Sequence, residues 1–164
     1  MPENSVIEAA RRLIAIGFFP IPLQRSGDNW KRPILGRGWQ RQRFGEDDLA
    51  EHFGGDPVNV GVLLGETVGG FVDIDLDSPD AIRLADDYLP PTACEWGRAS
   101  KPRSHRLYRV TGPARPLRQV RHENETLLEW RAQSADGLPT QTRAPGSVTE
   151  DGERVEFTPA RAGR

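Results

Sequence analysis

The residues of this chain with the clearest capacity for chemistry are two aspartates at alternate positions, Asp73 and Asp75, and Asp77 follows at the same spacing. A strand has a two-residue period, so these carboxylates share one face and the apolar residues between them share the other. Aspartate is disfavoured in strands, and like charges on one sheet face repel. The face that carries the aspartates therefore needs a compensating positive charge.

A divalent cation is the usual compensating charge, because Mg²⁺ takes carboxylate, phosphate and water oxygens as ligands. Two such ions about 4 Å apart can clamp the attacking and leaving oxygens of a phosphoryl transfer. We therefore predict a metal site at Asp73 and Asp75. A solvated strand face is the alternative for this pair, and for Asp77 alone the favoured interpretation is the start of the next helix.

Charge is segregated along the 164 residues, although the net charge is only −2. Residues 46–95 are rich in Asp and Glu and contain one Lys or Arg, whereas residues 98–121 are basic and contain no acid. A second basic stretch covers residues 25–43. Basic stretches can follow a phosphate backbone, although the acidic and basic blocks could instead pair with each other. The predicted nucleic-acid contacts are Arg98, Lys101, Arg106 and Arg109.

Length and composition favour an α+β protein of one domain, or of two compact sub-modules. With Cys94 as the single cysteine, no intrachain disulfide and no cysteine-rich zinc site is expected. The sequence has no apolar run near the ~20 residues that a membrane-spanning helix needs, and no visible signal peptide. We therefore expect a cytoplasmic protein without a membrane partner.

The elements that must position the acids follow from periodicity and from turn residues. Residues 59–64 and 71–76 read as two strands, and the intervening residues 65–70 predict a hairpin between them. Ser78 followed by Pro79 predicts a helix start. Further strands are predicted over 18–23, 104–110, 126–131, 141–144 and 154–157, and helices over 6–16, 46–53 and 79–88.

Three strand-borne signals then occur in a fixed order: Asp73 with Asp75, Ser104 with His105, and Glu129. Their order and spacing resemble the primase–polymerase domain of the archaeo-eukaryotic primase superfamily, which is found at the N-terminus of plasmid and phage replication proteins. Segments outside these signals add to the resemblance, namely residues 17–22, Lys31-Arg32-Pro33 with Trp39, and residues 59–65.

The resemblance implies a primase-like core with a mixed or antiparallel sheet of the RRM-like kind, flanking helices and an N-terminal αβ unit. It covers nearly the whole chain, so residues 1–158 are expected to form the catalytic domain. Residues 159–164 are expected to begin a linker or tail.

The resemblance also implies roles for individual residues. Asp73, Asp75 and Glu129 would bind two Mg²⁺ or Mn²⁺ ions, and His105 would contact the phosphates of the incoming nucleotide. Glu129 departs from the family, in which the third acid is usually Asp. The family often has a glycine pair before the histidine, and this chain has Lys101-Pro102-Arg103-Ser104 instead. The other expected nucleotide contacts are Ser104, Arg103 and Lys31.

The implied activity is template-directed nucleotidyl transfer from nucleoside triphosphates on a single-stranded DNA template or primer, in replication of a plasmid, phage or other mobile element. A helicase would follow on the same chain or act in trans. Two other interpretations stay open. One is a metal-dependent nuclease that uses the same acids, and the other is a nucleic-acid-binding module that keeps the fold without activity.

Overall fold

Two antiparallel sheets dominate the computed structural model, which describes residues 4–159. Within these residues the helices are α1 (Asn4–Ile16), α2 (Leu49–Phe53) and α3 (Pro79–Tyr88). The strands are β1 (Pro20–Leu23), β2 (Asn59–Leu64), β3 (Phe71–Leu76), β4 (Glu95–Arg98), β5 (Lys101–Arg109), β6 (Arg118–His122), β7 (Glu125–Arg131), β8 (Thr140–Arg143) and β9 (Glu156–Phe157). The predicted α+β class is confirmed. Residues 160–164 of the predicted linker lie outside the described residues.

The smaller sheet has the strand order β1-β2-β8, and the larger sheet has the order β6-β7-β3-β5-β4-β9. The predicted hairpin between β2 and β3 is therefore wrong, although the bounds of both strands are confirmed. The Gly65 amide still donates to the Phe71 carbonyl at 2.9 Å, and Gly70 takes a left-handed φ of 74° as the chain turns away. Because β2 is buried along its whole length, it needs a partner on each edge, and β1 and β8 fill those places.

The sequence did not predict two strands of the larger sheet. Strand β4 contains Gly97, which is atypical of a strand, and β6 is polar and exposed along its whole length, so it lacks the alternation that marks a half-buried strand. The predicted helix over 46–53 is a turn of 3₁₀ helix, Glu46–Asp48, followed by α2. The predicted helix over 79–88 is present with the predicted bounds, and the remaining predicted elements are present with shifted bounds.

Helix α3 covers the apolar face of the larger sheet. It begins as predicted, because the Ser78 hydroxyl accepts a hydrogen bond from the Ala81 amide at 3.1 Å and Pro79 occupies the first turn. Ala85 of α3 packs in one apolar cluster with Ile74 and Leu76 of β3. The opposite face of β3, which carries the aspartates, is thereby left to face the smaller sheet.

Buried polar side chains fasten the smaller sheet to the segment that follows β8. Asn59 exchanges two hydrogen bonds of 2.9 Å with the backbone of Val148, and the Ser147 hydroxyl bonds the backbone of Val60. Asn59 and Ser147 are fully buried, so these bonds replace water that neither side chain can reach. They hold the segment after β8 against β2.

Replacement of Asn59 by Ala should lower the free energy of unfolding by about 1–3 kcal/mol, because two partly buried backbone groups lose their partners. Urea denaturation measures the effect. The exposed Asn124→Ala variant is the control and should stay within about 0.5 kcal/mol of the parent protein. Equal stability of the two variants would contradict a structural role for the Asn59 bonds.

Candidate active site

The acidic strand β3 lies between β5 and β7, and this order brings the three sequence signals together. Asp75 is directly opposite His105 on β5 and Glu129 on β7. Residues that face each other across neighbouring strands share one face of the sheet. An acid, a histidine and a second acid from three distant parts of the chain therefore meet on the face that looks toward the smaller sheet.

Asp73 holds the ring of His105. Its Oδ2 lies 2.9 Å from His105 Nδ1, while Asp75 Oδ1 lies 3.7 Å from the same nitrogen. Burial alone would lower the pKa of His105, but the two carboxylates outweigh it and the net shift of the pKa is upward. Asp73 is fully buried behind the histidine. The structure thus places Asp73 where it orients His105 and favours the protonated form of the ring.

A cluster of carboxylates forms beside this pair. Oxygens of Asp75, Asp77 and Glu129 lie within 4.8 Å of one another, and no other group of this kind is found among residues 4–159. Asp75 Oδ1 is buried and has no hydrogen-bond partner. Burial tends to raise the pKa of Glu129, but Gln119 and Arg131 hold it below its ordinary value, so the group is ionised. Clustered anionic oxygens with an unfilled buried acceptor fit a hard divalent cation.

Basic side chains surround the carboxylates. Lys101 Nζ lies 3.1 Å from Asp77 Oδ1, and Arg131 Nη2 lies 3.1 Å from Asp75 Oδ2 and 2.6 Å from Glu129 Oε2. Lys31 approaches from the loop after β1, where partial loss of hydration, followed by the charge of Arg131, lowers its pKa. The carboxylates are therefore embedded in positive charge.

These groups line a cavity of about 280 Å³ between the two sheets. The larger sheet contributes the carboxylates, Ser104 and His105, and β8 of the smaller sheet contributes Gln141, Thr142 and Arg143. The cavity contains seven residues predicted from the sequence: Lys31, Asp75, Arg98, Lys101, Ser104, His105 and Glu129. A site with three carboxylates inside an excess of cations is suited to a polyphosphate bound together with divalent cations.

A bulge in β5 aims Ser104 and His105 into the cavity. Trp96 pairs with His105 and Arg98 pairs with Lys101, so Gly97 alone faces the residues between them. A Cβ on Gly97 would lie 2.5 Å from the Lys101 carbonyl oxygen, which explains the glycine. Arg103 adopts a left-handed φ of 54° within the bulge. Gly97 thereby permits the backbones of β4 and β5 to approach closely at the bulge.

The same bulge corrects the expectation for Arg103. A regular strand would place Arg103 and His105 on one face, but the left-handed backbone turns the arginine away from the cavity. Its guanidinium pairs with Asp86 of α3 and with Glu95 of β4, each at 2.8 Å. Arg103 therefore belongs to an ion-pair network between α3 and the larger sheet and does not line the cavity.

Arg106 is a second member of this network. Its guanidinium lies 2.7 Å from Asp86 Oδ1 and its side chain is 1% exposed. This burial removes Arg106 from the candidate DNA contacts. Arg109 is exposed but lies outside the cavity, where it donates to the Gly69 carbonyl at 2.8 Å and stacks over Phe71. Of the four predicted nucleic-acid contacts, Arg98 and Lys101 are in the cavity.

Sequence reasoning missed three charged residues of the site, Asp77, Arg131 and Arg143. Asp77 and Arg131 carried a usable signal, since each lies two positions from a predicted site residue on a strand or at its end, and therefore on the same face. Arg143 carried none. It reaches the cavity because β8 of the smaller sheet lies opposite the catalytic face, and chain order does not reveal that arrangement.

The fold and the cavity define an α+β domain with a carboxylate cluster in a pocket whose other charged groups are basic. The family model of the N-terminal domain of bifunctional DNA primase/polymerases matches residues 9–163, and the chain belongs to this family. The resemblance inferred from the sequence is thereby confirmed. Membership associates the domain with nucleotidyl transfer of the primase and polymerase type in replication.

No curated protein sequence matches the chain. In the part of the chain that the structure describes, none of the helices has the length and apolar character needed to cross a membrane.

Replacement of Asp86 by Asn should lower the free energy of unfolding at neutral pH by about 1 kcal/mol, because the carboxylate forms ion pairs with two arginines. Arg103 and Arg106 hold the pKa of Asp86 well below its ordinary value, so this contribution is full above pH of about 4 and is lost as the pH falls further. Urea denaturation at pH 7 and pH 3 measures the effect. The difference in free energy of unfolding between the variant and the parent protein should be smaller at pH 3 than at pH 7. The control is Asp87→Asn, a variant of the exposed neighbouring residue, which should be as stable as the parent protein at both pH values. A difference in stability between Asp86→Asn and the parent protein that is larger at pH 3 than at pH 7 would contradict the network.

Proposed function

We propose that this domain transfers nucleotides from nucleoside triphosphates to a primer or initiating nucleotide on a single-stranded DNA template. The observation that carries the proposal is the cluster of Asp75, Asp77 and Glu129 oxygens within 4.8 Å of one another in a cavity whose other charged groups are basic. Membership of the primase/polymerase family supports the same chemistry.

Asp75, Asp77 and Glu129 are the proposed ligands for Mg²⁺ or Mn²⁺. When bound, two such ions would supply activation of the 3′-hydroxyl and neutralisation of charge on the reacting phosphates. Asp75 Oδ1 is buried and accepts no hydrogen bond, which supports a cation at this point. For Asp73, which was expected to bind metal, we propose orientation of His105 instead, because its Oδ2 lies 2.9 Å from His105 Nδ1 and its side chain is fully buried.

The basic residues of the cavity are proposed to bind the triphosphate. The Asp73 carboxylate favours the protonated form of His105, in which the Nε2 hydrogen can donate to a phosphate oxygen, and Ser104 offers a hydroxyl beside it. Lys31 and Arg143 approach from the side of the smaller sheet. Closure of cations from both sheets around one polyphosphate would fix its orientation with respect to the carboxylates.

The excess of cations favours this reaction over simple hydrolysis of DNA. A nuclease needs the carboxylates but does not need a triphosphate-binding wall that includes His105, Lys31 and Arg143. As in the family it resembles, the domain is proposed to act in replication of a plasmid, phage or other mobile element, with a helicase that follows on the same chain or acts in trans.

Asp75→Asn and Asp77→Asn should each lower the rate of primer extension by at least about 100-fold, because each removes an anionic ligand from the site. The assay uses a primed single-stranded template, ribo- or deoxynucleotides, and Mg²⁺ or Mn²⁺. The exposed Asp136→Asn variant is the control and should extend normally. Calorimetric titration should show weaker Mn²⁺ binding to the two site variants than to the parent protein, and unchanged Mn²⁺ binding to the Asp136→Asn control.

Three results would contradict the assignment. Extension by Asp75→Asn at the parental rate would remove the metal role of the cluster. Nucleotide and DNA binding without extension by the parent protein would favour the non-catalytic module. Degradation of DNA by the parent protein without any nucleotide would favour the nuclease.

His105→Gln should raise the KM for nucleotide by about 10- to 100-fold, which corresponds to the loss of one charge-assisted hydrogen bond. The KM for template should change little, since the ring faces the proposed triphosphate site. The exposed His122→Gln variant provides the matched control. An unchanged nucleotide KM in His105→Gln would exclude the proposed phosphate contact.

A further inference from the structure

The loop between β1 and α2 forms a second basic surface beside the cavity. Residues 24–45 contain six Lys and Arg residues, and Asp28 is the single acid among them. The loop is fixed in place, because the Gln24 amide donates to the Arg32 carbonyl at 2.8 Å and the Ile34 amide donates to the Pro22 carbonyl at 3.2 Å. Its cations therefore have defined positions.

This loop encloses a groove of about 590 Å³, lined by Arg32, Arg37, Trp39 and neighbouring polar and backbone groups. Both arginines are exposed, and within residues 4–159 neither has an ion-pair partner. Trp39 is half-buried: it packs against the apolar cluster around Ile21 and also lines the groove. The groove thus combines two uncompensated guanidinium groups with one side of an anchored indole.

Consecutive residues of the chain line the candidate active site and the groove. Lys31 lines the catalytic cavity and the next residue, Arg32, lines the groove. The Lys31 carbonyl accepts a hydrogen bond from Gln141 Nε2 at 2.8 Å, which ties this part of the loop to β8. The groove therefore begins, along the chain, one residue after the cavity residue Lys31.

We infer that this groove binds the unpaired DNA template strand next to the nucleotide pocket. The inference rests on the proposed function for its link to catalysis. Unpaired bases stack on exposed aromatic faces while the backbone follows a row of cations, and the groove offers both features within a few residues. Duplex DNA hides its base faces inside the helix and would leave Trp39 unused. The groove therefore favours single-stranded over duplex DNA.

The test is binding of fluorescently labelled oligo(dT) to the parent chain and to two double variants, without nucleotide or metal. Arg32→Ala with Arg37→Ala should weaken binding about tenfold at low salt, and should reduce the salt slope by about 1.4, which is the contribution of two phosphate contacts on a single strand. Arg11→Ala with Arg83→Ala removes the same charge from exposed helix surfaces elsewhere and should bind as the parent does.

A second measurement reports on Trp39 and does not depend on the arginine variants. Binding of oligo(dT) should quench tryptophan fluorescence, and Trp39→Phe should remove most of that quenching while thermal unfolding remains cooperative. If the two arginine double variants bound oligo(dT) with equally weakened affinity, the binding would be diffuse and electrostatic, and the assignment of the groove as the template site would be wrong. The assignment would also be wrong if the Arg32→Ala, Arg37→Ala variant bound oligo(dT) as tightly as the parent protein. Undiminished quenching in Trp39→Phe would contradict it as well.

Extension kinetics separate this inference from the proposed function. In an active protein, the groove variant should have a raised KM for template with an unchanged KM for nucleotide and unchanged turnover at saturating template. If the parent protein had no extension activity, only the proposed function would be contradicted. The binding and quenching measurements test independently whether the groove binds single-stranded DNA.

Discussion

Two carboxylates side by side on a buried strand are the constraint on which the rest of this structure depends. Asp73 and Asp75 occupy the middle strand of the larger sheet and are almost completely buried. Buried charges are tolerated only when they are paired and hydrogen-bonded. His105, Lys101 and Arg131 supply that compensation from the two strands that flank β3. The charge balance of this one strand thus determines which residues its neighbours carry.

Each face of the larger sheet has a different task. Helix α3 buries the apolar side of β3, while the charged side faces β8 of the smaller sheet across the cavity. The ion pairs of Asp86 with Arg103 and Arg106 join α3 to β5. They hold the bulge that aims Ser104 and His105, so a structural network on one face supports the geometry of the other.

Several parts of the site could be predicted from sequence because they depend on local rules. Alternation along β3 placed Asp75 on a charged face, and the order of the acidic, histidine and glutamate signals led to the family that the comparison confirmed. Strand bounds for β2 and β3 followed from their glycine-rich flanks. The start of α3 followed from Ser78 and Pro79, since capping is decided within one turn.

What the sequence determined by itself was the class of fold, the family, and the residues Asp75, His105 and Glu129 as companions in one site. Only the tertiary structure decided which other charged residues line the cavity beside these three. A single left-handed residue turned Arg103 away from His105, and the larger sheet buried Arg106 under Asp86. Arg143 entered the cavity from another sheet. Periodicity describes the faces of one regular strand, whereas bulges and the packing of one sheet on another depend on contacts between residues far apart in the chain.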